Sequence, residues 1–260
     1  MTASPALHVV DWEAVVGATD VQRLVDLAVE EDLGPGDVTT DSIFTERRNV
    51  SGRVVARTAT VACGAPLART IMRRFDPEST IEAAIGCGTW LAAGETWMAV
   101  AGDVAAVLRA ERILLNFLMR LCGIATAAAA AANAVPADCK AKIYDTRKTL
   151  PGWRRLDKAA VRTGGALNHR FGLFDAVLIK DNHLAATGSI REAVARTRAH
   201  ATPGMLIEVE VDGLGQLDFA IDAGADIVLL DNFTDAQLAQ AVARAAGRVE
   251  LEASGGVTLE

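Results

Sequence analysis

The chain has 260 residues, 51% of them apolar, and a formal charge of -7. This composition excludes a disordered polymer and can bury the core of one large barrel domain or of two unequal domains. The acidic balance excludes a nonspecific nucleic-acid binder, which needs a basic surface to neutralise phosphates. The longest apolar stretch, the alanine-rich run 125–134, is too short and too weakly hydrophobic to cross a bilayer. No basic region followed by an apolar one opens the chain, so a soluble cytoplasmic protein without membrane contact is expected. Cys63, Cys87, Cys122 and Cys139 show no CxxC spacing and are expected to be buried small hydrophobes, neither a disulfide framework nor a zinc site.

In chain order, Val21, Leu24, Val25 and Ala28 fall at helical spacing, with Asp20 as the expected N-cap and Gly34 as the stop. Residues 36–41 read as a loop. Short β-branched runs broken by glycine, such as 53–61 and 96–100, predict an antiparallel sheet. A second amphipathic helix starts near Asp103, with Val104, Val107, Leu108, Leu115, Leu118 and Cys122 on one stripe. Arg109, Arg112, Asn116 and Arg120 lie on another stripe. Glu111 falls on the apolar stripe, and a buried carboxylate there must hold an arginine or backbone donors. Gly123 is expected to end or interrupt this helix and the alanine run to resume it.

From residue 141 the pattern becomes βα. Strands are expected over 141–144, 176–179, 206–211, 227–230 and 249–251, with helices between them, the clearest opening at Ser189 and Glu192 in capping-box spacing. Repeated βα units favour a parallel sheet, closed as a barrel or doubly wound. Polar clusters end every strand: Asp145 to Lys148, Lys180 to His183, Glu210 to Asp212, Asp231-Asn232 and Ser254-Gly255-Gly256. A (β/α) barrel would gather five such clusters at one mouth, whereas an open sheet would spread them along a line. The expected fold is thus α/β: an N-terminal α+β domain over 1–109, followed by an incomplete parallel (β/α) barrel over 110–260 that carries the active site.

The clusters set Arg147, Lys148, His169, Arg170 and Lys180 on the basic side against Glu210, Asp212 and Asp231 on the acidic side. Both signs together suit a substrate bearing carboxylates or phosphates beside a divalent cation, since arginine grips carboxylates through paired donors and magnesium takes one or two carboxylates with phosphate oxygens. Ser254-Gly255-Gly256, opening a helix after a strand, would offer backbone N–H groups to a phosphate. Taken singly, these residues have plainer readings. Arg147 and Lys148 could be solvated loop charges, His169 a structural histidine, and the glycine pair a helix-entry turn.

The strings DTRKTLPG (145–152), RTGGALNHRFGLFDAVLIKDNH (162–183), IEVEVD (207–212), IVLLDNF (227–233) and ASGG (253–256) resemble the quinolinate phosphoribosyltransferase family. So do EDLGPGDVTTD (31–41) and AERILLNFLMRLCGIAT (110–126), and the motifs follow the family's order through nearly the whole chain. The resemblance implies phosphoribosyl transfer from phosphoribosyl pyrophosphate to quinolinate with decarboxylation, giving nicotinate mononucleotide, pyrophosphate and carbon dioxide in NAD biosynthesis. It implies that Arg147, His169, Arg170 and Lys180 bind the two carboxylates, joined by Arg112 from the partner of a homodimer or higher homo-oligomer. By the same resemblance Lys148, Glu210 and Asp231 hold phosphoribosyl pyrophosphate. Glu210 and Asp231 hold its Mg2+, and Ser254, Gly255 and Gly256 hold the 5-phosphate. Lys180, Glu210 and Asp231 are the catalytic set so implied. Against the family pattern, the last βα unit after the Ser-Gly-Gly turn is expected to be missing. The runner-up is the related molybdenum-transport-associated branch of the same fold, against which the intact NHR (168–170) and KDNH (180–183) strings favour quinolinate. Two other classes compete: an aldolase-like barrel with Lys180 as a Schiff-base nucleophile, which the surrounding arginines and acidic pair argue against, and a metabolite-binding protein without turnover.

Overall fold

Helix α5 (Val104–Ala134) runs for 31 residues, straight through Gly123, because that glycine is exposed while Leu121, Cys122 and Ala125 around it are buried in one core. The expected interruption is therefore absent. The computed structural model describes residues 10–259. Residues 1–9, on which the expected absence of a leader pattern partly rests, lie outside the described residues. Two compact units divide at His169 and Arg170. The boundary expected at 109/110 falls inside α5.

In the first unit, α1 (Trp12–Gly17), α2 (Thr19–Leu33), α3 (Val38–Ile43), β1 (Asn49–Val55) and β2 (Thr60–Val61) come first. Then follow α4 (Ala65–Phe75), β3 (Thr80–Ala83), β4 (Trp90–Leu91), β5 (Thr96–Asp103), α5 and α6 (Arg154–Thr163). Strands β1, β5 and β3 form an antiparallel sheet in that order, and β2 pairs with β4. Phe117, Leu118, Leu121 and Ala125 of α5 pack in one cluster with Leu67, Ile71 and Met72 of α4, Trp97 and Met98 of β5, and Leu156 and Ala160 of α6. Gly64 before α4 has φ +101°, a backbone conformation that favours glycine, and a Cβ there would press on Leu121 Cδ1 of α5 at 2.7 Å. The helix α5 is long and apolar enough to cross a membrane, contrary to the reading of its alanine run alone, but its apolar face forms this core.

Several local expectations change. Asp20 lies in the first turn of α2 rather than capping it and instead accepts from Arg155 Nε at 2.8 Å. Gly34 does end that helix. Residues 38–43 are helix α3, because Asp37 accepts the Thr40 N–H at 2.9 Å and so caps a turn that propensity alone would leave open. Glu111 is exposed, since the helix turns it away from the core, and no buried carboxylate needs a partner there. Cys63 and Cys122 are buried, and burial pushes the Cys122 thiol up to about 11, whereas Cys87 is half-buried and Cys139 exposed. The strand expected at 141–144 reduces to a parallel bridge between Tyr144 and Leu167.

The second unit holds β6 (Val177–Ile179), α7 (Asp181–Thr187), α8 (Ile190–His200), β7 (Ile207–Val211), α9 (Leu214–Asp222), β8 (Ile227–Asp231), α10 (Asp235–Ala245) and β9 (Glu250–Ser254). The four strands are parallel in the order β6-β7-β8-β9, as the βα alternation predicts. Val177, Ile179, Ile207, Val209, Val211, Val228, Leu230 and Leu251 face the cluster formed with α8, α9 and α10. By the two-residue strand period, Leu178, Glu208, Glu210, Leu229, Asp231, Glu252 and Ser254 share the other face. Ser189 caps α8 by accepting the Glu192 N–H at 3.2 Å.

Asp76 ties the corner where β5 becomes α5. Its buried carboxylate accepts the Asp103 N–H at 3.0 Å, the Glu78 N–H at 3.1 Å and Arg47 Nη2 at 3.0 Å. The Asp103 amide, then Glu78 and Arg47, hold this carboxyl below its ordinary range. A depressed folded value means stabilisation present above the ordinary carboxyl range and lost as pH falls through the folded value. Asp76→Asn should lower Tm by about 2–4 °C at pH 7, the shift for roughly 1 kcal/mol in a chain of this size. Thermal melts should show the gap from wild type closing toward pH 3; a gap that stays constant with pH would remove Asp76 from the acid response.

Candidate active site

The turn after the Tyr144 bridge is held from beneath by α6. Lys158 and Asp145 have side chains only 3% and 8% exposed, and the ammonium meets Asp145 Oδ1 at 2.5 Å. Lys158 also donates to His169 O at 2.9 Å, while Asp145 Oδ1 accepts the His169 N–H at 2.8 Å. With its amide nitrogen facing them, Asn168 donates to Lys158 O at 3.0 Å and Asp145 Oδ2 at 2.9 Å. Burial pushes the Asp145 carboxyl above its ordinary range, against the opposing pull of Lys158 and the His169 N–H. Arg154 Nε donates to Thr149 Oγ1 at 3.1 Å, which fastens the far side of the turn.

The helix α6 is itself anchored on α5. Arg120 forks onto Asp157 with bonds of 2.9 and 2.8 Å and lies 5.0 Å over the Trp153 ring, which packs 4.6 Å from Phe117. On the turn so held, Arg147 Nε is buried with no hydrogen-bond partner among the described residues. A guanidinium N–H already stripped of water and lacking an acceptor is poised for an anionic ligand. Lys148 is exposed, its N–H donating to Thr146 Oγ1 at 3.0 Å.

The second unit supplies the carboxyl edge of its parallel sheet. Lys180 follows β6, and its Nζ meets Glu210 Oε2 of β7 at 2.5 Å. The two expected roles, a carboxylate-binding lysine and a metal-binding glutamate, are therefore in direct contact. The Lys180 N–H is accepted by His183 Nδ1 at 2.9 Å, so the histidine of the KDNH string orients the lysine's backbone. Arg170 is half-buried, with Nη1 3.4 Å from Ala176 O. Asp231 pairs in register with Ser254 of β9. Asn232, at φ +56°, donates its Nδ2 to Asp231 Oδ2 at 2.8 Å and its main-chain N–H to Ser254 O at 2.8 Å. Gly255 has φ +88°, and a Cβ there would stand 2.1 Å from Asn232 Oδ1 and 3.0 Å from Asn232 N. The Ser-Gly-Gly turn therefore needs glycine at 255, although no helix follows it among the described residues.

Within each unit, the structure joins Lys180 to Glu210, Asp231 to Ser254, and the His169 main chain to a buried ion pair. Arg112 lies exposed on α5, and of its stripe Arg109 and Arg120 are taken by Asp41 and Asp157. Sequence reading missed Lys158, His183 and Asn232 as supports. Their signal was faint: a lysine beside the apolar positions of α6, a histidine three residues after Lys180, and an asparagine directly following β8.

Profiles of the quinolinate phosphoribosyl transferase N-terminal and C-terminal domains match residues 37–122 and 124–260. The chain belongs to this family. The probable nicotinate-nucleotide pyrophosphorylase (carboxylating) of Bacillus subtilis is 40% identical over 240 residues, covering 92% of this chain and 82% of that one. The nicotinate-nucleotide pyrophosphorylase (carboxylating) of Mycobacterium leprae is 42% identical over 239 residues, covering 90% and 84%. Among solved structures, NadC from Streptococcus pyogenes superposes with a TM-score of 0.88 at 38% identity, covering 92% of this chain and 84% of that one. The family's two sequence domains meet at Gly123 within α5, whereas the compact units divide after His169, because α5 and α6 pack in one core.

The contact between Gly255 and Asn232 can be tested directly. Gly255→Ala should destabilise by about 1–2 kcal/mol, the cost of a side chain in left-handed backbone. Adding Asn232→Gly, which removes the clashing amide at a position glycine favours, should recover part of that loss in urea denaturation. No recovery would show that the Asn232 side chain does not set the glycine requirement.

Proposed function

We propose that the chain is a decarboxylating quinolinate phosphoribosyltransferase, acting in the cytoplasm as a homodimer or a higher multiple of it. The reaction follows from family membership and from the names of relatives that match through most of their length. The single structural observation that favours it is Arg147, whose buried Nε lacks an acceptor on a turn held by an ion pair. Arg147, His169, Arg170 and Lys180 take the two carboxylates of quinolinate. Lys148 and the Ser254-Gly255-Gly256 turn take the phosphates of phosphoribosyl pyrophosphate.

Glu210 and Asp231 offer only hard oxygen donors, on one face of neighbouring strands near their carboxyl ends, and this set fits magnesium. Bound there with the pyrophosphate oxygens, magnesium would supply neutralisation of the leaving group's charge. The arginines orient the ring so that its nitrogen meets C1 of the ribose, which can be worth several powers of ten in rate. The nitrogen–C1 bond forms as the C1–oxygen bond breaks, its electron pair leaving with pyrophosphate. Asp231 and Glu210 stabilise the positive charge that C1 gathers. The bond from C2 to its carboxylate then breaks, carbon dioxide departs, and the pair left on C2 beside the cationic nitrogen takes a proton from Lys180.

Purified protein given quinolinate, phosphoribosyl pyrophosphate and magnesium should release nicotinate mononucleotide, pyrophosphate and carbon dioxide in equal amounts. Arg147→Ala should weaken quinolinate binding by about 2–5 kcal/mol while phosphoribosyl pyrophosphate still binds. Folded protein that forms no nucleotide overturns the proposal.

Self-association is supported by a groove lined by Val55, Leu115 and Met119, the last two on the helix that also carries exposed Arg112, since soluble chains seldom leave such apolar surface uncovered. Arg112 would reach the partner's pocket. Arg112→Ala and Lys180→Ala should each be inactive, yet regain about a quarter of wild-type activity once their subunits exchange, because each mixed dimer holds one intact site. Full activity of Arg112→Ala alone would remove it from the reaction.

A further inference from the structure

Lys158 and Asp145 form a buried ion pair that the proposed chemistry does not use, and burying such a pair is costly unless its remaining hydrogen bonds are satisfied. Here those bonds converge on one residue. Lys158 donates to the His169 carbonyl at 2.9 Å, and the Asp145 carboxylate accepts the His169 N–H at 2.8 Å. Both main-chain polar groups of His169 thus end on the same pair. Asn168, one residue earlier, closes the ring through Lys158 O and Asp145 Oδ2. Asp145 also begins the turn that carries Arg147, and its own N–H is held by Leu167 O at 2.9 Å. Because α6 is fastened to α5 through Arg120 and Asp157, Lys158 projects from a rigid support.

We infer that Lys158 and Asp145 are positioning residues that fix the main chain of His169 and the Arg147 turn, and so set how tightly the site takes the pyridine dicarboxylate. The inference rests on the reading of His169 and Arg147 as quinolinate ligands. It assigns no contact between the pair and substrate. The pair acts by removing the main-chain freedom that would otherwise be lost on binding, which is the advantage of preorganisation.

The test is steady-state kinetics of the full assembled enzyme, varying each substrate in turn. Asp145→Asn keeps the shape but weakens the pair, and should raise KM for quinolinate at least about threefold, with KM for phosphoribosyl pyrophosphate within about twofold. Lys158→Met combined with Asp145→Leu removes both charges, leaves no buried ion unpaired, and should raise KM for quinolinate about tenfold or more at a similar melting temperature. A merely structural pair would lower kcat through the fraction of folded enzyme and leave both KM values unchanged, and that result would overturn the inference. If the double variant does not fold, Asp145→Asn decides alone by the same split. His169→Ala separates the two levels. Should it leave KM for quinolinate unchanged, the ligand reading of His169 fails and the inference with it. Should it raise that KM while Asp145→Asn does not, only the positioning role fails.

Discussion

A charge withdrawn from water is costly unless it meets an opposite charge or a main-chain donor, and this constraint is met at three places that join elements of the first unit. Asp76 at the β5–α5 corner, Asp157 between α5 and α6, and Lys158 with Asp145 beneath the Arg147 turn are all buried and all answered. Only Lys158 and Asp145 are buried on both sides, and removing one partner of such a pair costs about 3–5 kcal/mol. Apolar packing sets which helices lie together; these charged contacts set how the ends of the elements are oriented.

The same economy operates in the parallel sheet. Its helix-covered face is uniformly aliphatic, so the chemistry is confined to the other face and to the carboxyl edge. Two residues of opposite expected role, Lys180 and Glu210, follow from that confinement as direct neighbours. At the next strands, Asn232 in left-handed backbone and Gly255 beside it bring Asp231 and Ser254 together. Rigid strands with special residues immediately after them give a site precise geometry without ordering long loops.

The family relationship and the geometry bear on different questions. Relatives matching over most of their length connect the chain to pyridine nucleotide synthesis. The geometry shows which side chains are already committed to structure by an ion pair. Arg109 and Arg120 share a sequence stripe with Arg112, yet they are bound to Asp41 and Asp157. Charge on a stripe therefore does not identify function; the partners do.

By itself, the sequence determined the class of both units, because hydrophobic period and strand-ending polar clusters are local patterns that survive without tertiary information. Strands β6 to β9 lie within a few residues of their expected places, and the site strings follow each of them. Tertiary structure alone decided the continuity of α5 through Gly123, whose helical cost is small against the core it helps to bury. It alone reduced 141–144 to a single bridge and exposed Glu111 and Cys139. It also revealed Lys158, thirteen residues from Asp145, as that carboxylate's partner. Such pairings depend on which residues meet once the core is packed, and a linear pattern carries no record of that meeting.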